Sequence, residues 1–340
     1  MKTHLASKPA IFTWESHENK QFRESFPDVI QKLPKYSFLD QKTFKVVGYY
    51  VGQNVGSVVA KVTDKSGTYV VKSTHDPRVL TVEVVFLQQW EKVGANVVEV
   101  LEFIKPRKDF PVTAAILKYV PGGTTDHVLA HKKDKLEAVY RKLGKGLAIM
   151  HRAKGHGYGE VVDVQKLKGK YATFRKESET NMTSQRKQTL LKHKLITKKD
   201  LALFQKAIEI VEADIARGTK PTLIHDDPGL HNTFGVAALK FFDPIPRISH
   251  PLKDVAIALI WAGFEDAGKK MRNAILEGYY KETPYDEATL WACIYLRVLG
   301  KWEWWLYRGK TDKKALGWIV GTKPLFVAAR KYVESYSPKI

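Results

Sequence analysis

One cysteine, Cys293, stands in 340 residues, so no disulfide can close within the chain. That scarcity suits a reducing compartment, and Cys293 reads as a small buried hydrophobe in a helix. Long apolar runs are missing too: nothing approaches the roughly 18 to 20 residues a helix needs to cross a bilayer. Residues 1 to 16 mix Lys2, His4, Lys8 and Glu15 with no apolar block, unlike a secretory signal. A soluble, cytoplasmic protein is the expectation. Acidic charge is also sparse, with 36 Asp and Glu against 56 Lys and Arg, a formal net charge of +20. A field of that sign favours anionic partners such as nucleotides, nucleic acid, acidic lipid or phosphorylated sugars, although solubility alone would also account for it.

What is present is a globular composition, 44% apolar and 27% charged, which excludes general disorder. Residues 44 to 72 read as an antiparallel meander of β-branched runs separated by glycine-containing turns. Glu83 to Val93 changes to a helical period, with Val84, Val85, Leu87 and Trp90 on one face. Strand-like runs return at 97–104 and 112–119, and Pro121-Gly122-Gly123 then breaks the pattern as a hinge. Beyond it the chain is mainly helical, over 136–151, 201–215, 256–280 and 288–307. The expected fold is α+β and bilobal, with an N-terminal extension at 1–43, a strand-rich N-lobe at 44–120 and a helical C-lobe at 121–340.

The chemistry concentrates in Ile224-His225-Asp226-Asp227-Pro228-Gly229-Leu230-His231-Asn232, followed eleven residues later by Asp243. Two carboxylates and a carboxamide at these intervals, beside short apolar runs, suit phosphoryl transfer. Asp227 is the candidate to accept or orient the proton of an attacking hydroxyl. Asn232 and Asp243 are candidates to hold magnesium against nucleotide phosphates. Each residue alone fits ordinary turn chemistry, and it is their combination that points to a site.

The N-terminal half supplies matching partners. Lys72 ends a β-branched run, where a lysine would reach the α- and β-phosphates, and Glu83 would pair with it. Gly52-Gln53-Asn54-Val55-Gly56-Ser57 lies between two strands, where its backbone N–H groups would cover the phosphates; Gly52, Asn54, Gly56 and Ser57 are the candidate contacts. The turn lacks a Walker lysine, which argues against a P-loop enzyme.

The His-x-Asp-x-x-x-x-Asn loop at 225–232, the Phe-Phe-Asp at 241–243 and His250-Pro251-Leu252-Lys253-Asp254-Val255-Ala256 together resemble the aminoglycoside phosphotransferase and choline kinase group. Leu143 to His151, followed by Gly157-Tyr158-Gly159, is similar to that group's helix before the catalytic loop. Leu117 to Gly123 is similar to its hinge, which would make Lys118 and Val120 nucleotide contacts. The likeness runs through motifs between residues 45 and 265.

The resemblance implies a protein-kinase-like fold and ATP- or GTP-dependent, magnesium-dependent phosphorylation of a small-molecule hydroxyl. Asp227 would be the base, Asn232 and Asp243 the metal ligands, Lys72 with Glu83 the phosphate clamp, and Asp254 a buttress of the loop. Two departures stand out. Asp226 sits where the antibiotic kinases mostly have glycine, adding a negative charge beside the base. The interval from Asn232 to Asp243 is about two residues short, which a tight turn at 235–238 would explain.

Charge argues against a polycationic acceptor. The basic stretch at 165–199 favours an anionic or polymer-linked hydroxyl (RNA, lipid or protein), while Glu177, Glu179, Asp226, Glu265 and Asp266 are candidates for local acidity. The basic, tryptophan-containing segment from Lys301 reads as a weak polyanion signal or as helix core. A catalytically silent kinase-fold binding protein is the remaining alternative.

Overall fold

The computed structural model describes residues 5–10, 16–50, 56–264, 268–309 and 314–337. Its N-lobe is a six-stranded antiparallel sheet made of β1 (Leu5–Ala6), β2 (Lys45–Tyr50), β3 (Ser57–Asp64), β4 (Gly67–Thr74), β5 (Val100–Ile104) and β6 (Thr113–Lys118), in the order β1-β2-β3-β4-β6-β5. Strand β3 shows why a sheet forms: Val58, Ala60 and Val62 alternate inward while Val59 and Lys61 stay partly exposed. The β3–β4 turn is fixed by Asp64, whose Oδ1 accepts the N–H groups of Ser66 and Gly67 at 2.7 and 3.1 Å.

Residues before 44, set apart in the sequence as an extension, pack into this lobe where they are described. Strand β1 pairs Leu5 with Tyr50. Helix α1 (His17–Ile30), capped by Ser16, turns Phe22, Phe26 and Ile30 onto Val58, Ala60 and Val71 in one core cluster. The four-residue spacing of those three side chains makes a helical stripe despite Pro27.

Helix α2 (Pro77–Lys92) begins six residues ahead of the expected Glu83, because Asp76 caps it and Pro77 fits its first turn. Leu80, Val84 and Leu87 are buried as a helical face; Val85, expected there, is only half-buried and Phe86 is buried instead.

The C-lobe contains α3 (Thr125–Leu129), α4 (Leu136–Met150), β7 (Tyr158–Asp163), β8 (Lys168–Tyr171), α5 (Phe174–Asn181), α6 (Ser184–Lys192), α7 (Lys198–Ala216), β9 (Thr222–Ile224), β10 (Thr233–Phe234), β11 (Lys240–Phe241), β12 (Arg247–Ser249), α8 (Leu252–Ala262), α9 (Gly268–Tyr280), α10 (Glu287–Arg308) and α11 (Lys314–Ser335). The stretch 256–280, read as one helix, is therefore two, α8 and α9. Helices α4 and α9 press together at glycines: a Cβ at Gly144 would lie 2.0 Å from the Ile275 carbonyl oxygen, and one at Gly278 2.0 Å from that of Arg141. Sheet β8-β7-β12-β9 and hairpin β10–β11 carry the motif loops. The hairpin closes through Gly235 at φ +80°, the tight turn expected there.

Candidate active site

The loop leaving β9 is held by one buried carboxylate. Asp254, near the start of α8, accepts the backbone N–H of His225 through Oδ2 at 2.6 Å and that of Asp226 through Oδ1 at 2.7 Å. His151 donates from Nε2 to Asp254 at 3.2 Å and accepts the Tyr279 hydroxyl at Nδ1, 2.9 Å away. His225 donates from Nε2 to the Phe242 carbonyl at 3.0 Å, tying the loop to the segment that carries Asp243. With Asp254, His225, Asp226, His151 and Tyr279 all fully or nearly buried, the loop has little freedom to move.

Asp227 therefore projects into the cleft from a fixed backbone. Its Oδ1 accepts the Trp261 indole N–H at 2.9 Å, and its Oδ2 lies 3.3 Å from both His231 Nε2 and Asn232 Nδ2. Lys301 Nζ is 3.7 Å from Oδ1. Burial pushes the Asp227 carboxyl up, but Lys301, His231 and the Trp261 N–H outweigh it and hold the group far below its ordinary value. Asn232 Nδ2 donates to the Asp227 carbonyl at 2.9 Å, which turns its amide oxygen the other way.

Lys72 of β4 meets both lobes. Its Nζ lies 2.8 and 2.6 Å from the two Glu83 carboxylate oxygens and 2.6 Å from Asp243 Oδ1. Burial pulls the ammonium down, yet the Asp243 and Glu83 carboxylates override it and raise the group well above its ordinary value. Asp243 holds φ +54°, a left-handed conformation that an aspartate tolerates better than most residues.

One cavity of about 1260 Å³ runs between the lobes and brings together Gly56, Ser57, Lys72, Glu83, Lys118, Val120, Asp227, Asn232 and Asp243. Gly52 and Asn54 lie outside the described residues. Gly56 stands at φ +69° against the Asn19 amide of α1, a place where a side chain would be strained. Ser57 lines the cavity, and its buried Oγ has no hydrogen-bond partner among the described residues. Lys118 lines the cavity, and its ammonium is held by Glu99 at 2.8 Å. Between the lobes Val59, Val70, Leu117 and Val120 line a flat apolar slot with Phe234 and Phe242, whose rings stack at 4.1 Å.

The other arm of the cavity draws on the basic, tryptophan-containing segment from Lys301, read from the sequence only as a weak polyanion signal or as helix core; its place beside Asp227 was not foreseen. Arg297 and Lys301 line it from α10, with Gly300, Trp304 and Arg308 on the same helical stripe, and Trp261 and Trp318 lie beside them. Among the acids considered for this region, Asp226 is buried between Arg297 Nη2 at 2.8 Å and Arg247 Nε at 3.4 Å. Burial raises its carboxyl, and the two guanidiniums more than reverse that, keeping it ionised. The extra negative charge expected beside the base is thus neutralised locally. Asp226 also sits at φ +62°, where glycine is the easiest fit. Glu177 is fully buried against Lys253 at 2.5 Å and Ser249 at 2.8 Å, and Glu179 lies 3.9 Å from Arg175. Glu265 and Asp266 lie outside the described residues.

The model of the phosphotransferase enzyme family matches residues 52–238. Among solved structures, the chain is similar to the aminoglycoside phosphotransferase APH(4)-Ia, at 14% identity over 90% of this chain and 99% of that one, with a TM-score of 0.61. A thermostable mutant of that protein, in ternary complex with AMP-PNP and hygromycin B, gives 16% identity over 86% and 96% with a TM-score of 0.59. Plasmodium vivax ethanolamine kinase gives 12% identity over 94% and 98% with a TM-score of 0.55. At these identities the likeness is one of fold. No curated protein matches the chain in sequence.

Proposed function

The chain belongs to the phosphotransferase enzyme family, and we propose that it transfers the γ-phosphoryl group of ATP to a hydroxyl of a small molecule, with Asp227 as the base. The observation that carries this reading is the contact of Lys72 with Glu83 and Asp243 across the same cavity that Asp227 and Asn232 line. The apolar slot between Val70 and the stacked Phe234 and Phe242 suits a purine, with Lys118 and Val120 at its edge. Lys72 would then reach the α- and β-phosphates, and the Ser57 hydroxyl with the Gly56 amide would face the phosphate chain.

The donors fit a hard cation: the Asn232 amide oxygen and the Asp243 carboxylate are oxygen ligands, and magnesium takes few of these beside phosphate oxygens. Bound there it would neutralise charge on the β- and γ-phosphates. Asp227, ionised and oriented by the Trp261 N–H, would align the acceptor hydroxyl and take its proton late in transfer. GTP would satisfy the same phosphate contacts.

Binding of AMP-PNP with and without magnesium, read by thermal shift, tests the nucleotide half of this reading. Wild type is expected to gain a magnesium-dependent shift that Asp243→Ala loses. A shift equal in the two proteins, or none in wild type, counts against it.

A further inference from the structure

Resting on that kinase reading, we infer that the acceptor is an anion: a hydroxyl compound that also carries a phosphate or a carboxylate. The charge balance of the cavity arm beyond Asp227 carries it. Among the described residues six cations line it, Arg186, Arg247, Lys253, Arg297, Lys301 and Arg308, against two acids, Asp226 and Asp227. Lys253 is matched by the buried Glu177 and Arg186 by Glu303, while Arg247 and Arg297 share the buried Asp226, with Glu160 3.5 Å from Arg247. Asp226 therefore has no charge left to offer an amine.

Among the described residues that line this arm Asp227 is the remaining acid, and Lys301 stands 3.7 Å from it. An ammonium group brought to the base would meet that lysine at close range, and a phosphate or carboxylate would instead be drawn to it. Arg186, held by the Asn181 carbonyl at 2.6 Å and Glu303 at 3.3 Å, still has guanidinium donors beyond those two contacts. Arg308 lies over the Trp318 ring at 5.9 Å, and Lys301 over Trp261 at 5.7 Å, so the cations are laid along aromatic faces. Trp261, Trp304 and Trp318 give this arm flat apolar walls, suited to the body of a ring-bearing acceptor.

The spacing of Arg297, Lys301, Trp304 and Arg308 places all four on one stripe of α10, and the helix presents that stripe to the cavity. An antibiotic polycation finds the opposite of what it needs here. The transfer itself stays conventional in its balance: the acceptor oxygen bonds to the γ-phosphorus, the bond to the bridging oxygen of ADP breaks, and the hydroxyl proton leaves to Asp227.

The test uses full-length protein and four matched probes on one scaffold: glucose, glucosamine, gluconate and glucose 6-phosphate. Thermal shift is read with and without AMP-PNP for wild type, Lys301→Met and Arg308→Gln. Glucose 6-phosphate or gluconate is expected to stabilise wild type most, with the ranking between them separating phosphate from carboxylate. Each variant is expected to weaken that binding about tenfold or more, as loss of a charge-assisted contact does, and Arg308→Gln is expected to keep the wild-type AMP-PNP shift, which shows that it folds. Stabilisation by glucosamine or glucose equal to that by the anions, or no response to either anion, overturns the inference. Because the AMP-PNP shift is scored separately, its absence would strike the kinase reading and leave the charge preference to be judged on the probes alone.

Discussion

Lys72 Nζ lies 2.6 Å from Asp243 Oδ1, joining strand β4 of the N-lobe to the segment that follows β11 in the C-lobe. Glu83 holds the same ammonium from behind with both carboxylate oxygens. A nucleotide entering the cleft would meet a lysine that is already positioned and charged. Lys72→Met is expected to lower kcat/KM for ATP by about 10²- to 10³-fold, the usual cost of losing one aimed charge on a transferring phosphoryl group. Glu83→Gln should cost less, since Asp243 still fixes the lysine. Steady-state ATP consumption measures both, and a Lys72→Met protein within threefold of wild type would remove the clamp from the account.

Lys301 and Asp227 make a prediction about pH. Burial alone would raise the Asp227 carboxyl; Lys301 is the largest opposing influence and keeps it ionised. A base with a depressed value remains active as pH falls through the ordinary carboxylate range, and is lost only below it. Removing the cation in Lys301→Met takes away the largest influence opposing burial, so the acid limb of the kcat profile should move to higher pH. An acid limb at the same pH in both proteins would show that Lys301 does not tune the base.

Asp254 bears on stability and on loop order together. Replacing it with alanine leaves the His225 and Asp226 amides and the His151 ring without their acceptor in a fully buried place. The expected loss is about 3 kcal/mol or more in the unfolding free energy. Asp254→Asn keeps one acceptor oxygen and should recover part of it. Denaturant unfolding gives both values, and a loss below about 1 kcal/mol in the alanine protein would mean that the loop is held by other contacts.

The local half of the site was legible because its signals are short. Asp227, Asn232 and Asp243 fall within seventeen residues, on loops whose backbone spacing sets their geometry. Lys72 and Glu83 are linked by one strand-to-helix connection. The acceptor arm was hidden because packing assembles it: Trp261 and Lys301 lie 34 and 74 residues past Asp227 and reach it only once α8 and α10 dock, as Arg297 of α10 reaches Asp226. A signal was there to find, since Arg297, Lys301, Trp304 and Arg308 recur at intervals of four, three and four. It was masked by the neighbouring Trp302 and Trp305, which are buried and read as helix core, although Trp305 also lines the cavity.

Charge misled for a related reason. Asp226 looked like added acidity beside the base, but Arg247 and Arg297, 21 and 71 residues later, neutralise it in the folded state. Helix α1 was missed because Phe22, Phe26 and Ile30 give only three apolar contacts in a polar segment that includes Pro27. Their partners, Val58, Ala60 and Val71, belong to strands that the sequence had already assigned to the lobe.

The central claim, that Asp227 is the base of a phosphoryl transfer, is tested most directly by one comparison. ADP formation from magnesium ATP is followed for wild type and Asp227→Asn, a change that keeps the side-chain shape while removing the charge. The account predicts that the variant loses at least about 10²-fold in kcat while retaining the AMP-PNP thermal shift. Equal ADP formation by the two proteins would contradict it.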